Sequence, residues 1–155
     1  MADGTALGNR YGIGRLAGYR QWEGIDPYEE HTGPFFFREL TQYRYQCAFE
    51  AKAHHVNGQG AIHGGCMMSF ADFALFVFAR PALEDISGVT VSFSSDFIGA
   101  GFEGDLVLAD GEIVRETGSL VFLRGLMTAD REGADSPAPL LNFSGIIKKI
   151  RPRQP

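Results

Sequence analysis

The sequence predicts an α+β domain in which a curved antiparallel sheet of five to six strands wraps around one long central helix. Two observations carry this. The run from Gly64 to Arg80 has helix length, contains no proline and is apolar on nearly every side, which is the pattern of a buried helix. On either side stand segments with a period of two, joined by short glycine-punctuated links, so consecutive strands pair antiparallel. A sheet that buries a single helix must curl round it.

Each element follows in order. Residues 1–32 are Gly-rich and weakly patterned, and read as an N-terminal arm with a short helix near Leu16 to Trp22 docked on the body. GNRYGIGRLAG within the arm is not a dinucleotide fingerprint, because no strand precedes it and its glycines lack the required spacing. GPFFFREL opens the domain, residues 33–150, as a first strand. In the second, Tyr43, Tyr45, Cys47 and Phe49 alternate with Arg44, Gln46, Ala48 and Glu50, which predicts one wet face. The helix follows, and Pro81 stops it. After it, Val89, Val91, Phe93 and Phe97 alternate with Thr90, Ser92, Ser94 and Asp96. GDLVLADGEIVRETG and SLVFLRGLMTADREG form a hairpin turning near Glu116 to Ser119, and APLLNFSGIIKKI supplies the last strand. Residues 151–155 are a basic C-terminal tail.

A length of 155 residues sets one domain. A net charge of -5 argues against nucleic acid. The longest apolar segment is too short to span a bilayer. Residues 1–14 lack the apolar stretch of a signal peptide, so a cytoplasmic protein is expected. Cys47 and Cys66 read as buried thiols without a disulfide role. No CxxC, HExxH or P-loop is present, so neither a metal nor a cofactor is expected.

One acid, Asp72, interrupts the apolar helix. It belongs to a larger pattern: Asn57-x-x-Gly60-x-x-His63-Gly64-Gly65, with Asp72 nine residues beyond His63, and Gly88-Val89-Thr90 opening the third strand. This pattern resembles that of the hotdog-fold acyl-CoA thioesterases of the phenylacetate-degradation (PaaI-like) type, over roughly residues 33–150. The resemblance implies a hotdog fold and hydrolysis of an acyl-CoA thioester to a free acid and CoA, the CoA ester being substrate and not cofactor. It also implies a homodimer as the minimal active unit, doubled to a tetramer, with Asp72 of one chain acting on a thioester held by Gly64 of the other.

The chemistry matches the residue types. Thioester hydrolysis passes through an oxyanion, and a helix N-terminus offers free N–H groups and partial positive charge to stabilise it. The Gly64 N–H is the expected donor, and losing one such donor costs about 3 kcal/mol of barrier. Asp72 is the expected base or nucleophile, as an acid set among Phe70, Phe73 and Phe76. Asn57 would hold the carbonyl or a water, and Thr90 would orient the water or the carboxylate. His63 and Gly65 are expected beside the substrate, and Lys148, Lys149 and Arg151 are candidates for the CoA phosphates. That last expectation arises because the turn Phe97-Ile98-Gly99-Ala100-Gly101 lacks the basic or proline residues many relatives carry there.

Each residue also has a plainer role: a structural acid for Asp72, a turn for Asn57, an ordinary strand residue for Thr90, a helix start for His63, and backbone geometry for Gly60 and Gly65. Two further functions share the residue types: a hotdog hydratase or dehydratase using His63 with Asp72, and a non-catalytic acyl-CoA binder.

Overall fold

The computed structural model describes residues 10–151. Arg153 of the basic tail and the first nine residues of the arm lie outside them. Strands β1 (Phe36–Thr41) and β2 (Arg44–Glu50) precede the long helix α2 (Gly64–Phe78). Strands β3 (Ser87–Phe97), β4 (Leu106–Glu116), β5 (Leu120–Asp130) and β6 (Ala138–Ile150) follow it. A short helix α1 (Pro27–Thr32) lies in the arm. The six strands form one antiparallel sheet in the order β1-β2-β4-β5-β6-β3.

The sheet curls because its inner face closes on α2. Phe70, Phe73, Ala74, Leu75 and Val77 are buried against Phe35, Phe37, Phe49, Leu123 and Ile147 from the strands and their flanks. Phe70 meets Phe49 edge-on at 4.7 Å between centroids. Gly145 lets β6 approach: a methyl group there would run into the Leu75 side chain. The helix ends at Phe78, two residues short of the expected end, and Arg80–Ala82 tightens into a 3-10 turn around Pro81.

The helix is not apolar and buried all round. Gly65, Ser69, Asp72, Phe76 and Arg80 follow one another at three- and four-residue steps, and all are half-buried or exposed. They form a single open stripe. Asp72 lies on this stripe, which explains how an acid is tolerated within the apolar run.

Three expectations change. The arm has no helix over Leu16 to Trp22. It makes one 3-10 turn at Gly14–Leu16, and then Arg20 exchanges two 2.8 Å backbone hydrogen bonds with Phe37. This pairing covers the β1 edge, and Leu16 and Tyr19 bury Phe36, Ala48 and Leu106. The face of β2 expected to be wet is thereby partly covered by the arm. In β3, Val89 and Val91 are 43% and 53% exposed, while Gly88, Thr90, Phe93 and Ser95 are partly buried. The cause is a register shift between Thr90 and Ser92 against β6. An extra residue in one strand reverses the inward phase beyond it. β3 thus stands at the sheet edge with Val89, Val91, Phe97 and Ile98 exposed. Cys47 and Cys66 are buried free thiols, as expected.

Candidate active site

Two groups of candidate site residues lie at different points along α2. The first is its N-terminus. His63 caps the helix, and its Nδ1 accepts the Gly65 N–H at 2.8 Å. This local bond uses the Gly65 donor and matches the helix-start role for His63. The Gly64 N–H has no hydrogen-bond acceptor among the described residues. A Cβ at Gly64 would lie 3.2 Å from the Phe97 ring, so the absence of a side chain keeps this donor clear. Asn57 Oδ1 accepts the Gln59 and Ala61 N–H groups at 2.9 and 3.3 Å. Asn57 therefore builds the turn before the helix, and only its amide N–H₂ remains for other work. Gly60 completes that turn at φ 85, a conformation suited to glycine.

The second group surrounds Asp72. The Thr90 hydroxyl donates to Asp72 Oδ1 at 2.6 Å. Both residues are half-buried. Asp72 is therefore neither wholly buried nor unpaired, and the bond to Thr90 holds its carboxylate in one orientation. Asp72 lines a cleft of about 670 Å³ together with Trp22, Glu29, Tyr45, Phe76, Arg80 and Gly88.

The arm supplies one wall of this cleft, which sequence reasoning missed. The Trp22 ring packs on Phe37 and Phe73, at 4.9 and 5.6 Å between centroids. The Arg80 guanidinium lies 5.3 Å over Trp22 and 5.1 Å over Phe37. Glu29 comes from α1. Its carboxyl is pushed up to about 7, first by burial and then by the charges of Asp26 and Asp72, against a hydrogen bond from Trp22. The signal for α1 was present. Asp26 is its N-cap, Pro27 its first residue, and Glu29 and Glu30 fill the first turn, a familiar helix-start pattern.

Eight residues separate Gly64 from Asp72, about 12 Å of helix rise. The Gly64 donor is absent from the Asp72 cleft. Within one chain, the two cannot act on one carbonyl carbon. Of the basic candidates, Lys149 is bonded to Glu116 at 2.5 Å. Lys148 and Arg151 are exposed, and none of the three lines the Asp72 cleft. His55 is buried and its ring contacts the carbonyls of Thr32 and Gly33, so it pins the end of α1 to the body. Burial pushes the Cys66 thiol up to about 11, which leaves it a poor nucleophile. Among the described residues, no group of three or more His, Cys, Asp or Glu could hold a metal. None of their helices is long and apolar enough to cross a membrane.

Residues 59–134 match the family model of the Thioesterase superfamily. No curated protein matches the sequence. Three solved structures illustrate the likeness in fold. The E. coli PaaI protein from the phenylacetic acid degradation operon is 17% identical, with 81% of this chain and 86% of that chain covered and a TM-score of 0.69. A thioesterase family protein from Silicibacter pomeroyi is 18% identical, with 81% and 90% covered and a TM-score of 0.71. A hypothetical thioesterase with coenzyme A from Streptococcus pneumoniae is 17% identical, with 77% and 88% covered and a TM-score of 0.65. At these identities the likeness is one of fold, and the fold is the hotdog.

Proposed function

We propose that this chain, whose residues 59–134 match the Thioesterase superfamily model, hydrolyses an acyl-CoA thioester to a carboxylic acid and CoA. The observation that carries the reading is the 2.6 Å bond from Thr90 to Asp72, whose side chain lines a cleft of about 670 Å³. That bond occupies one carboxylate oxygen and leaves the other for a water molecule. Asp72 takes a proton from that water as its oxygen bonds to the thioester carbon. The carbonyl oxygen becomes an oxyanion held by the Gly64 N–H. The oxyanion then collapses, the C–S bond breaks, and the departing CoA sulfur receives the proton. The CoA carried by the Streptococcus pneumoniae protein of the same fold is consistent with this choice of ester.

The helix geometry favours a site shared by two chains. Because Gly64 and Asp72 lie about 12 Å apart along one helix, a second copy brings its own Gly64 to the first copy's Asp72. The uncovered β3 edge is the surface on which such a copy would pair, because an open strand with exposed apolar residues is a template for association. A dimer of this kind, doubled to a tetramer, is the proposed assembly.

The test is thiol release from phenylacetyl-, benzoyl- and straight-chain acyl-CoAs by the wild type and by Asp72→Ala. The wild type should release CoA, and the variant should lose most of that activity at unchanged oligomeric state. Mixing Asp72→Ala with Gly64→Pro, which lacks the N–H yet suits a first helical position, should restore activity. Statistical exchange of subunits in a two-fold dimer gives about a quarter of the wild-type rate. No recovery on mixing would rule out the shared site. Acyl-CoA binding without thiol release by the wild type would favour a binder.

A further inference from the structure

Glu29 comes from the arm, outside the segment that matches the family. The Tyr28 and Ser69 hydroxyls lie 2.8 Å apart in a hydrogen bond that ties α1 to α2. Ser69 precedes Asp72 by three residues, so it stands on the same open stripe. This tether sets Glu29 into the cleft that Asp72 lines.

The charged and titratable groups around Glu29 can be named by element. Asp26 caps α1 and Glu30 lies within it, and Arg10 of the arm reaches Glu30 at 3.4 Å and the Trp22 carbonyl at 2.7 Å. Asp72 faces Glu29 from α2, Arg80 lies beyond that helix, stacked on aromatic rings, and Tyr43, Tyr45 and Glu84 line the same cleft. The buried Cys47 thiol lies behind on β2. No cation forms an ion pair with Glu29 among the described residues.

We propose that Glu29 is a positioning residue for Asp72, its carboxylate making Asp72 a better proton acceptor. The inference rests on the hydrolytic reading above. When water attacks, Asp72 gains a proton and negative charge moves to the thioester oxygen at a helix N-terminus. An ionised Glu29 favours that shift, because charge then leaves a cleft that also holds the Glu29 carboxylate. A protonated Glu29 gives no such assistance. With the Glu29 carboxyl pushed up to about 7, turnover rises as pH increases through neutrality.

The experiment is kcat for thiol release from about pH 5.5 to about pH 8.5, with Glu29→Gln and Glu29→Asp beside the wild type. The wild type should rise by roughly fivefold to tenfold over this range, as Glu29 ionises and assists proton transfer from the water. Glu29→Gln should stay at the low-pH rate throughout, and Glu29→Asp should keep a rise. Emission from Trp22, the sole tryptophan, reports whether each variant keeps its cleft. A Glu29→Gln enzyme with the wild-type rise, or one fixed at the high-pH rate, would overturn the proposal. A flat profile from an active wild type would also overturn it while leaving hydrolysis standing. A wild type that releases no thiol at any pH would overturn the hydrolytic reading itself.

Discussion

Replacing Thr90 with valine separates a functional hydrogen bond from ordinary strand packing. Valine keeps the shape and branching of threonine but cannot donate to Asp72. The lost bond is short, at 2.6 Å, and its acceptor is a carboxylate. Hydrogen bonds to charged groups are worth about 1.5 to 3 kcal/mol, and a half-buried pair belongs near the lower figure. If the bond aligns Asp72 for proton transfer, a loss of about 1.4 kcal/mol from transition-state stabilisation slows kcat roughly tenfold. Thr90 faces the carboxylate and is not itself among the cleft-lining residues, so KM should stay within about twofold. The assay is steady-state thiol release, with Thr90→Ser as the variant that restores the hydroxyl. In an Asp72→Asn background, Thr90→Val should add little, because the two residues act as a unit. A Thr90→Val enzyme with wild-type kcat would refute the reasoning. Equal impairment of Thr90→Ser would refute it too, because the methyl group and not the hydroxyl would then matter.

Val91→Asp puts a charge on the exposed β3 edge, where Val89 and Val91 are 43% and 53% exposed. It should give a monomer by light scattering and abolish thiol release although Asp72, Thr90 and Gly64 are untouched; a fully active monomer would exclude the shared site. Asp105 is buried, and burial raises its carboxyl, but two hydrogen bonds from Arg131 and one from the Phe102 N–H outweigh this and hold it below the usual range. The folded value lies below the unfolded one, so this stabilisation is full above about pH 4 and fades as pH falls through the folded value. Asp105→Asn should therefore lower Tm at neutral pH, with the gap to wild type narrowing as pH falls below about 4; an equal gap at neutral and acid pH would contradict the assignment.

Much of the fold was legible from local patterns. The long helix declared itself by its apolar run, its glycine start and its proline stop, and the structure moved its end by only two residues. The β4–β5 hairpin and β6 were readable because alternation and turn residues are local properties. The motif residues Gly64 and Asp72 were legible as types at a spacing, and the Thr90 hydroxyl was expected near the acid or its water. The Asp72 cleft was less legible. Trp22, Glu29 and Arg80 reach it from the arm and from the turn after α2, and nothing in the pattern around Asp72 points to them. The β3 faces were misread because a single bulge at Thr90–Ser92 reverses the inward phase, and alternation cannot reveal that.

The sequence by itself determined which residues share a face of the long helix and of the regular strands, where that helix starts, and that an acid interrupts it. The tertiary structure decided which face meets which. It turned the stripe of Asp72 towards a cleft, set the Thr90 hydroxyl on its carboxylate, brought Glu29 beside it, and covered the β1 edge while leaving β3 open. The reason is physical. Periodicity along the chain follows from backbone geometry, whereas these contacts depend on burying apolar area between segments far apart in sequence, and that choice is made only when the whole sheet closes on its helix.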